Sequence, residues 1–243
     1  MYSISIKEFL MISSVFFMLS CGDRATETPK IPIIEDHLKS GLTYGEISDG
    51  DGNLYKTIQI GNVFWMVENL KTTKFCNGDL ISNINDSQKW SENVVLNNPA
   101  WVYYNNNPDL NKPHGKLYNW FAFNDSRNIC PCGWKIPSIE DWNLMINNLG
   151  SGAGGKMKSI GNQFWDTPNT GATNDSGFSG LSSGTRFTDG QFVLFGSVGG
   201  WWSSTSINPR VSEVVTLTHD SGNVGDGGAE KAQGLSIRCI KTN

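Results

Sequence analysis

Cys130-Pro131-Cys132 sets the hardest constraint on this chain, because two cysteines separated by a single proline cannot be satisfied by each other. A disulfide between positions i and i+2 is strained. The chain of 243 residues holds five cysteines, and beyond Cys21 near the N-terminus the others are Cys76, Cys130, Cys132 and Cys239. Zinc asks for three or four nitrogen or sulfur ligands at close spacing. No second CxC or CxxC is present, and His37, His114 and His219 all stand far from the cysteines in sequence. Four such cysteines in an exported domain read as two disulfides. Cys130 and Cys132 then take one each of Cys76 and Cys239, and the residues alone leave both connectivities open.

Export is expected from the N-terminus. Phe9 to Leu19, FLMISSVFFML, is an apolar run behind Lys7, too short to span a bilayer as a mature helix, and it reads as a secretory signal. The run ends in MLSC, Met18 to Cys21, which resembles the lipobox of bacterial lipoproteins, with Met18 where leucine is usual. An ordinary signal peptide with an incidental cysteine is the alternative. The expected organisation is a signal over 1–20, acylation at Cys21, a flexible tether over 21–48 rich in Thr, Pro, Lys and Glu, and one folded domain over 49–243. That places the protein in the bacterial cell envelope, lipid-anchored at the outer membrane, with the membrane as a partner through the anchor. Residues 1–20 contain one lysine and one glutamate, so the mature chain keeps the formal charge of −4 and has no basic block. Nucleic acid is excluded as a partner on that ground.

Periodicity then sketches the domain. Leu54 to Ile60, where apolar and polar residues alternate toward the end, and the apolar stretch Val63 to Val67 stand on either side of Gly61-Asn62, which predicts a β-hairpin. Ser138, with Asp141 three residues on, caps a helix whose Trp142, Met145, Ile146 and Leu149 recur at helical spacing before Gly150 closes it. A second helix is expected over Gly115 to Asp125, with Leu117, Trp120 and Phe121 on one face. Strands are expected at Gln191 to Phe195, Gly200 to Ser204, Ser212 to His219 and Leu235 to Ile240. The fold class is α+β, without repeating βαβ units. The acidic turn of Asp49, Asp51 and Asn53 has calcium-loop oxygen spacing but lacks the glutamate at the twelfth loop position, so no metal is expected there.

The stretches DGDGNLYKTIQIGNVFWMVENLKTTKF, GKLYNWFAF, CPCGWKIPSIEDWNLM, NTGATNDSGFSGL, WWSSTS and GLSIRCIK together resemble the Fibrobacter succinogenes major paralogous domain over about Asp49 to Lys241. The resemblance implies a C-type-lectin-like domain, also similar to formylglycine-generating-enzyme-like domains, with an N-terminal hairpin, two helices and a loop-rich antiparallel β half. It implies no reaction, because the family has no established activity. It also chooses a connectivity. Cys130 and Cys239 match the family's Cys-Pro-x-Gly-Trp and Arg-Cys motifs, which leaves Cys76 and Cys132 as the second pair.

Two further patterns invite chemistry. GLSSG, Gly180 to Gly184, matches G-x-S-x-G with Ser182 as a nucleophile, but no buried strand precedes it and no helix follows, as an elbow requires. Trp165, Trp201 and Trp202 are candidates for a sugar-stacking surface. The calcium-dependent lectin signature is missing, since Asn107-Pro108-Asp109 precedes the long helix and no Trp-Asn-Asp follows. The expectation is a non-enzymatic binding or display domain without cofactor, its ligand a glycan or a protein. A carbohydrate-active enzyme is the alternative.

Overall fold

The computed structural model describes residues 37–242. The signal, Cys21 and the first part of the expected tether lie outside the described residues. Along the chain come β1 (Gly45–Ser48), β2 (Leu54–Ile60), β3 (Val63–Met66), β4 (Ser82–Asn83), α1 (Ser87–Leu96), β5 (Ala100–Val102), α2 (Asn111–His114), β6 (Leu117–Tyr118) and α3 (Trp120–Phe123). They are followed by α4 (Ile139–Leu149), α5 (Ala153–Met157), β7 (Ser183–Arg186), β8 (Phe192–Phe195), β9 (Val198–Ser206), β10 (Val211–Thr218), β11 (Gly225–Glu230) and β12 (Ile240–Thr242). The class is α+β, as expected.

The hairpin forms as expected around Gly61-Asn62, with Ile60 paired to Val63 and Gly61 at φ 63° in the turn. It becomes the centre of an antiparallel sheet ordered β1-β2-β3-β12, so the two ends of the domain meet beside it. Here the expected boundary at 49 needs correction. β1 lies within the expected tether, yet it pairs with β2 from Gly45↔Thr57 to Ser48↔Leu54. His37 is buried and Lys39 forms an ion pair with Asp175 at 3.1 Å. The strand GEIS contains one apolar residue, so the pairing edge that β2 offers, rather than any pattern of its own, makes it a strand.

Helix α4 has the predicted capping box. The Asp141 amide donates to Ser138 Oγ at 3.2 Å and the Ser138 amide donates to Asp141 Oδ2 at 2.9 Å. Its buried Trp142 packs on Trp65, with ring centroids 4.6 Å apart. The other expected helix is mostly not one. Leu117 and Tyr118 form β6, and only Trp120–Phe123 turn helically, capped by Asn119. The Tyr118 amide and carbonyl exchange bonds with Leu235 at 2.9 and 3.1 Å, a tertiary pairing that overrides the helical spacing. The expected strand Leu235 to Ile240 likewise narrows to β12 and single bridges such as Tyr118↔Leu235 and Trp201↔Ser236.

Strand β10 runs between β9 and β11. The two faces of β9 enter different cores. Trp201 packs with Trp142 and Phe178, while Trp202 packs with Phe123 on the other side. Trp165, Trp201 and Trp202 are 3%, 0% and 1% exposed. The expected aromatic ligand surface is therefore corrected: all three rings are core. Each indole N–H is also used inside, on Gly180 O at 3.0 Å, Asn69 Oδ1 at 2.8 Å and Tyr118 O at 2.8 Å respectively.

The disulfides are Cys76–Cys132 and Cys130–Cys239, with Cα atoms 5.5 and 5.9 Å apart. This is the pairing that the family resemblance implies. It fastens the segment preceding α4 both to the chain after the first hairpin and to the chain just before β12. The larger loop spans 109 residues, for which chain entropy gives on the order of 4–5 kcal/mol of stabilisation. Glycine serves close approach in α5, where a Cβ on Gly154 or Gly155 would collide with the backbone of Asn223 or Gly171.

Candidate functional site

A fold made largely of loops must satisfy many carbonyl groups outside regular ladders. This one does so with buried cations. Arg238 donates to the Phe178 carbonyl, to Ser179 O at 3.0 Å and to Asn69 Oδ1 at 2.9 Å. Arg186 donates to the carbonyls of Gly190 at 3.1 Å, Ile84, and Asn85 at 3.0 Å, and lies over the ring of Trp90. Lys158 collects the carbonyls of Thr170, Thr218 and Ser221 at 2.8–2.9 Å. Lys116 donates to the Lys71 carbonyl and to Asn111 Oδ1 at 3.2 Å. Among the described residues five Lys or Arg side chains are buried, and the fifth, Lys231, donates no side-chain hydrogen bond and makes no ion pair.

Lys231 is 8% exposed, and its ammonium lies 3.9 Å from the centroid of the Trp120 ring. Burial holds its pKa below the ordinary lysine value. A cation–π contact holds the ammonium over that ring, and the nitrogen is not among the fully enclosed polar atoms, so it opens to the groove with no acceptor among the described residues. Its backbone is nevertheless fixed: the Lys231 amide donates to Arg210 O at 2.8 Å and its carbonyl accepts from the Trp120 amide at 2.9 Å. Asn208 Oδ1 in turn accepts from the amides of Arg210 and Val211 at 2.8 and 2.9 Å, which shapes the β9–β10 turn.

Lys231 lines a groove of about 380 Å³ together with Arg210, Glu230, Phe121 and Asn97. Arg210 and Glu230 are exposed and Phe121 is half-buried. The lining thus combines two cations, one carboxylate, an amide and an aromatic ring. Such a mixture can hold a polar ligand by charge, by hydrogen bonds and by a ring face. A second groove, of about 250 Å³, is apolar, with Val198, Gly200 and Val214 opposite Phe187 and Leu194 of the β7–β8 hairpin. Leu194 has φ 65°, a left-handed conformation that costs a leucine about 1–2 kcal/mol and is held here by the turn closing at Ser197.

The residues singled out in the sequence are placed elsewhere. Ser182 is fully buried, and its hydroxyl donates to the Phe164 carbonyl. His219 follows β10, where its Nδ1 lies 3.1 Å from Thr167 O. Asp49 accepts from the amides of Asp51 and Asn53 and from Tyr55 Oη, while Asp51 accepts from Thr73 and pairs with Lys74 at 3.1 Å. None of these lines the Lys231 groove. Arg210 and Lys231 carry no sequence signal, since a lysine in a glycine-rich polar stretch reads as a solvated charge. Only Trp120 and Phe121 stood out, as the face of an expected helix.

Comparison with curated proteins returns no match. The family model described as the Fibrobacter succinogenes major domain matches residues 58–241, which runs from the last residues of β2 through the cystine joint to β12. By that match this chain belongs to the Fibrobacter succinogenes major domain family.

Proposed function

We propose that this protein is a lipid-anchored domain of the bacterial cell envelope, held at the outer membrane through Cys21, that binds a glycan or a protein and performs no reaction on it. The observation that carries the reading is the Lys231 groove. It offers unspent hydrogen-bond donors beside a half-buried aromatic ring, on a backbone pinned from two sides. The buried side chains of Lys158, Arg186 and Arg238 are by contrast spent on loop carbonyls, which supports reading them as part of a rigid support. The C-type-lectin-like kinship implied by the motifs accords with a scaffold that presents ligands on loops. Two disulfides suit an oxidising compartment outside the cytoplasm.

Two measurements test it. Applied to a glycan array, the full chain in detergent is expected to retain a defined subset of saccharides without altering them. Release of new reducing ends from a retained glycan overturns the non-catalytic reading in favour of a carbohydrate-active enzyme. Expressed in a bacterial host, the chain is expected in the membrane fraction, and Cys21→Ala is expected to release it and remove the lipid mass. An unmodified Cys21 in the mature protein overturns the anchor.

A further inference from the structure

We propose that the Lys231 groove takes a carboxylate-bearing sugar, a hexuronate unit of an acidic glycan, with the carboxylate held between Lys231 and Arg210. The proposal rests on the reading of this groove as a binding site and names its ligand class. Lys231 is the decisive residue. The residue is more than nine-tenths buried, yet its ammonium opens to the groove and has no acceptor among the described residues, whereas Lys116, Lys158, Arg186 and Arg238 each have at least two. An acceptor from outside the chain completes the set.

The lining selects among anions. Arg210 and Lys231 against Glu230 leave one net positive charge, which matches a single carboxylate better than a phosphomonoester dianion. Glu230 then separates sugar from peptide. A uronate carries hydroxyl donors on the same ring as its carboxylate, so Glu230 and the Asn97 amide can bond to those hydroxyls while the ring face rests on Phe121. An acidic peptide side chain brings a carboxylate with no neighbouring donors and sets it against the Glu230 charge. The volume of about 380 Å³ lies at the small end of the range for ligand sites and suits one or two sugar units.

The test is calorimetric titration of the full chain in detergent with four-residue oligomers of galacturonate, glucuronate and mannuronate, their methyl esters, and a glutamate-rich peptide of equal charge. At least one uronate is expected to bind, with its methyl ester weaker by roughly tenfold or more. Lys231→Met, which keeps an apolar stem over Trp120, is expected to lose that same factor. Arg210→Ala, at an exposed position, carries the test should Lys231→Met fail to fold, and is expected to weaken uronate binding and lessen its salt dependence. Tighter binding of the peptide than of any uronate overturns the proposal. So does uronate binding unchanged by both substitutions. If ester and acid bind equally and Phe121→Ala abolishes both, the binding reading stands and the carboxylate assignment falls. If no saccharide or peptide binds, both fall.

Discussion

Arg238 Nε donates to Asn69 Oδ1 at 2.9 Å, joining residues 169 apart in sequence inside the core. The same oxygen accepts from Trp201 Nε1 at 2.8 Å, while Asn69 Nδ2 donates to His114 O and Ser183 Oγ at 2.9 Å and to Ser236 Oγ at 3.2 Å. One amide therefore ties the end of the first hairpin to four later segments. Asn69→Ala strands two buried donors, one of them charged, and at 1–3 kcal/mol for each orphaned group the expected loss is about 3–5 kcal/mol. Urea unfolding measures it, and a loss below about 1 kcal/mol would show that water or repacking replaces the amide.

The two disulfides differ in access rather than in role. Cys132 is exposed, whereas Cys130 and Cys239 are 1% and 0% exposed. Thiol–disulfide exchange needs the attacking thiolate to reach a sulfur. Mild reductant on the native protein is expected to open Cys76–Cys132 first and to leave Cys130–Cys239 intact until the domain unfolds. Alkylation of the native protein followed by peptide mapping reads the order. Equal loss of both, or a Cys132–Cys239 peptide, contradicts it.

What could be read in the sequence was what depends on local pattern. The β2–β3 hairpin and the Ser138–Asp141 capping box announce themselves because turn, cap and period lie within a dozen residues. Helix α1 escaped because its single buried tryptophan, Trp90, makes no stripe. Strand β11, GDGGAE, escaped because pairing with β10 and not its own side chains makes it a strand. The disulfide pairing was readable only through the family motifs. The groove was not readable at all: Asn97, Phe121, Arg210 and Lys231 come from four separate places in the chain, three of them loops and one the short helix α3, and nothing in the order of residues says that they will meet.

The acidic turn offers a prediction about calcium. Asp49 accepts from Asp51 N, Asn53 N and Asn53 Nδ2 at 2.8–3.0 Å and from the buried Tyr55 hydroxyl. These donors occupy the oxygens that a cation would need, and Asp49→Ala is expected to cost about 2–3 kcal/mol by orphaning them. Chelator is expected to leave the melting temperature of the wild-type chain unmoved, because nothing in the turn depends on a metal for its bonds. A fall of several degrees in chelator, reversed by calcium, refutes this account of the turn.

His114 sets the response to acid. Its ring packs 4.7 Å from Phe195 and 5.8 Å from Phe164, and Nδ1 has no hydrogen-bond partner among the described residues. Burial lowers its pKa from 6.5 to about 4. The native value is the depressed one, so between the two pKa values the unfolded chain binds the extra proton. Stability from this residue is complete above about pH 6.5 and is lost as the pH falls toward 4, by on the order of 3 kcal/mol in all. The carboxylates held low, Asp51, Asp79, Asp125, Asp175 and Asp220, titrate below that window. Half-buried Glu68, with its pKa raised by desolvation, contributes the opposite slope. The comparison that isolates the histidine is therefore wild type against His114→Leu, each unfolded in urea at several pH values from 4 to 7. Wild type is expected to lose stability more steeply over that range, and parallel curves would mean that the ring reaches water and protonates without leaving the fold.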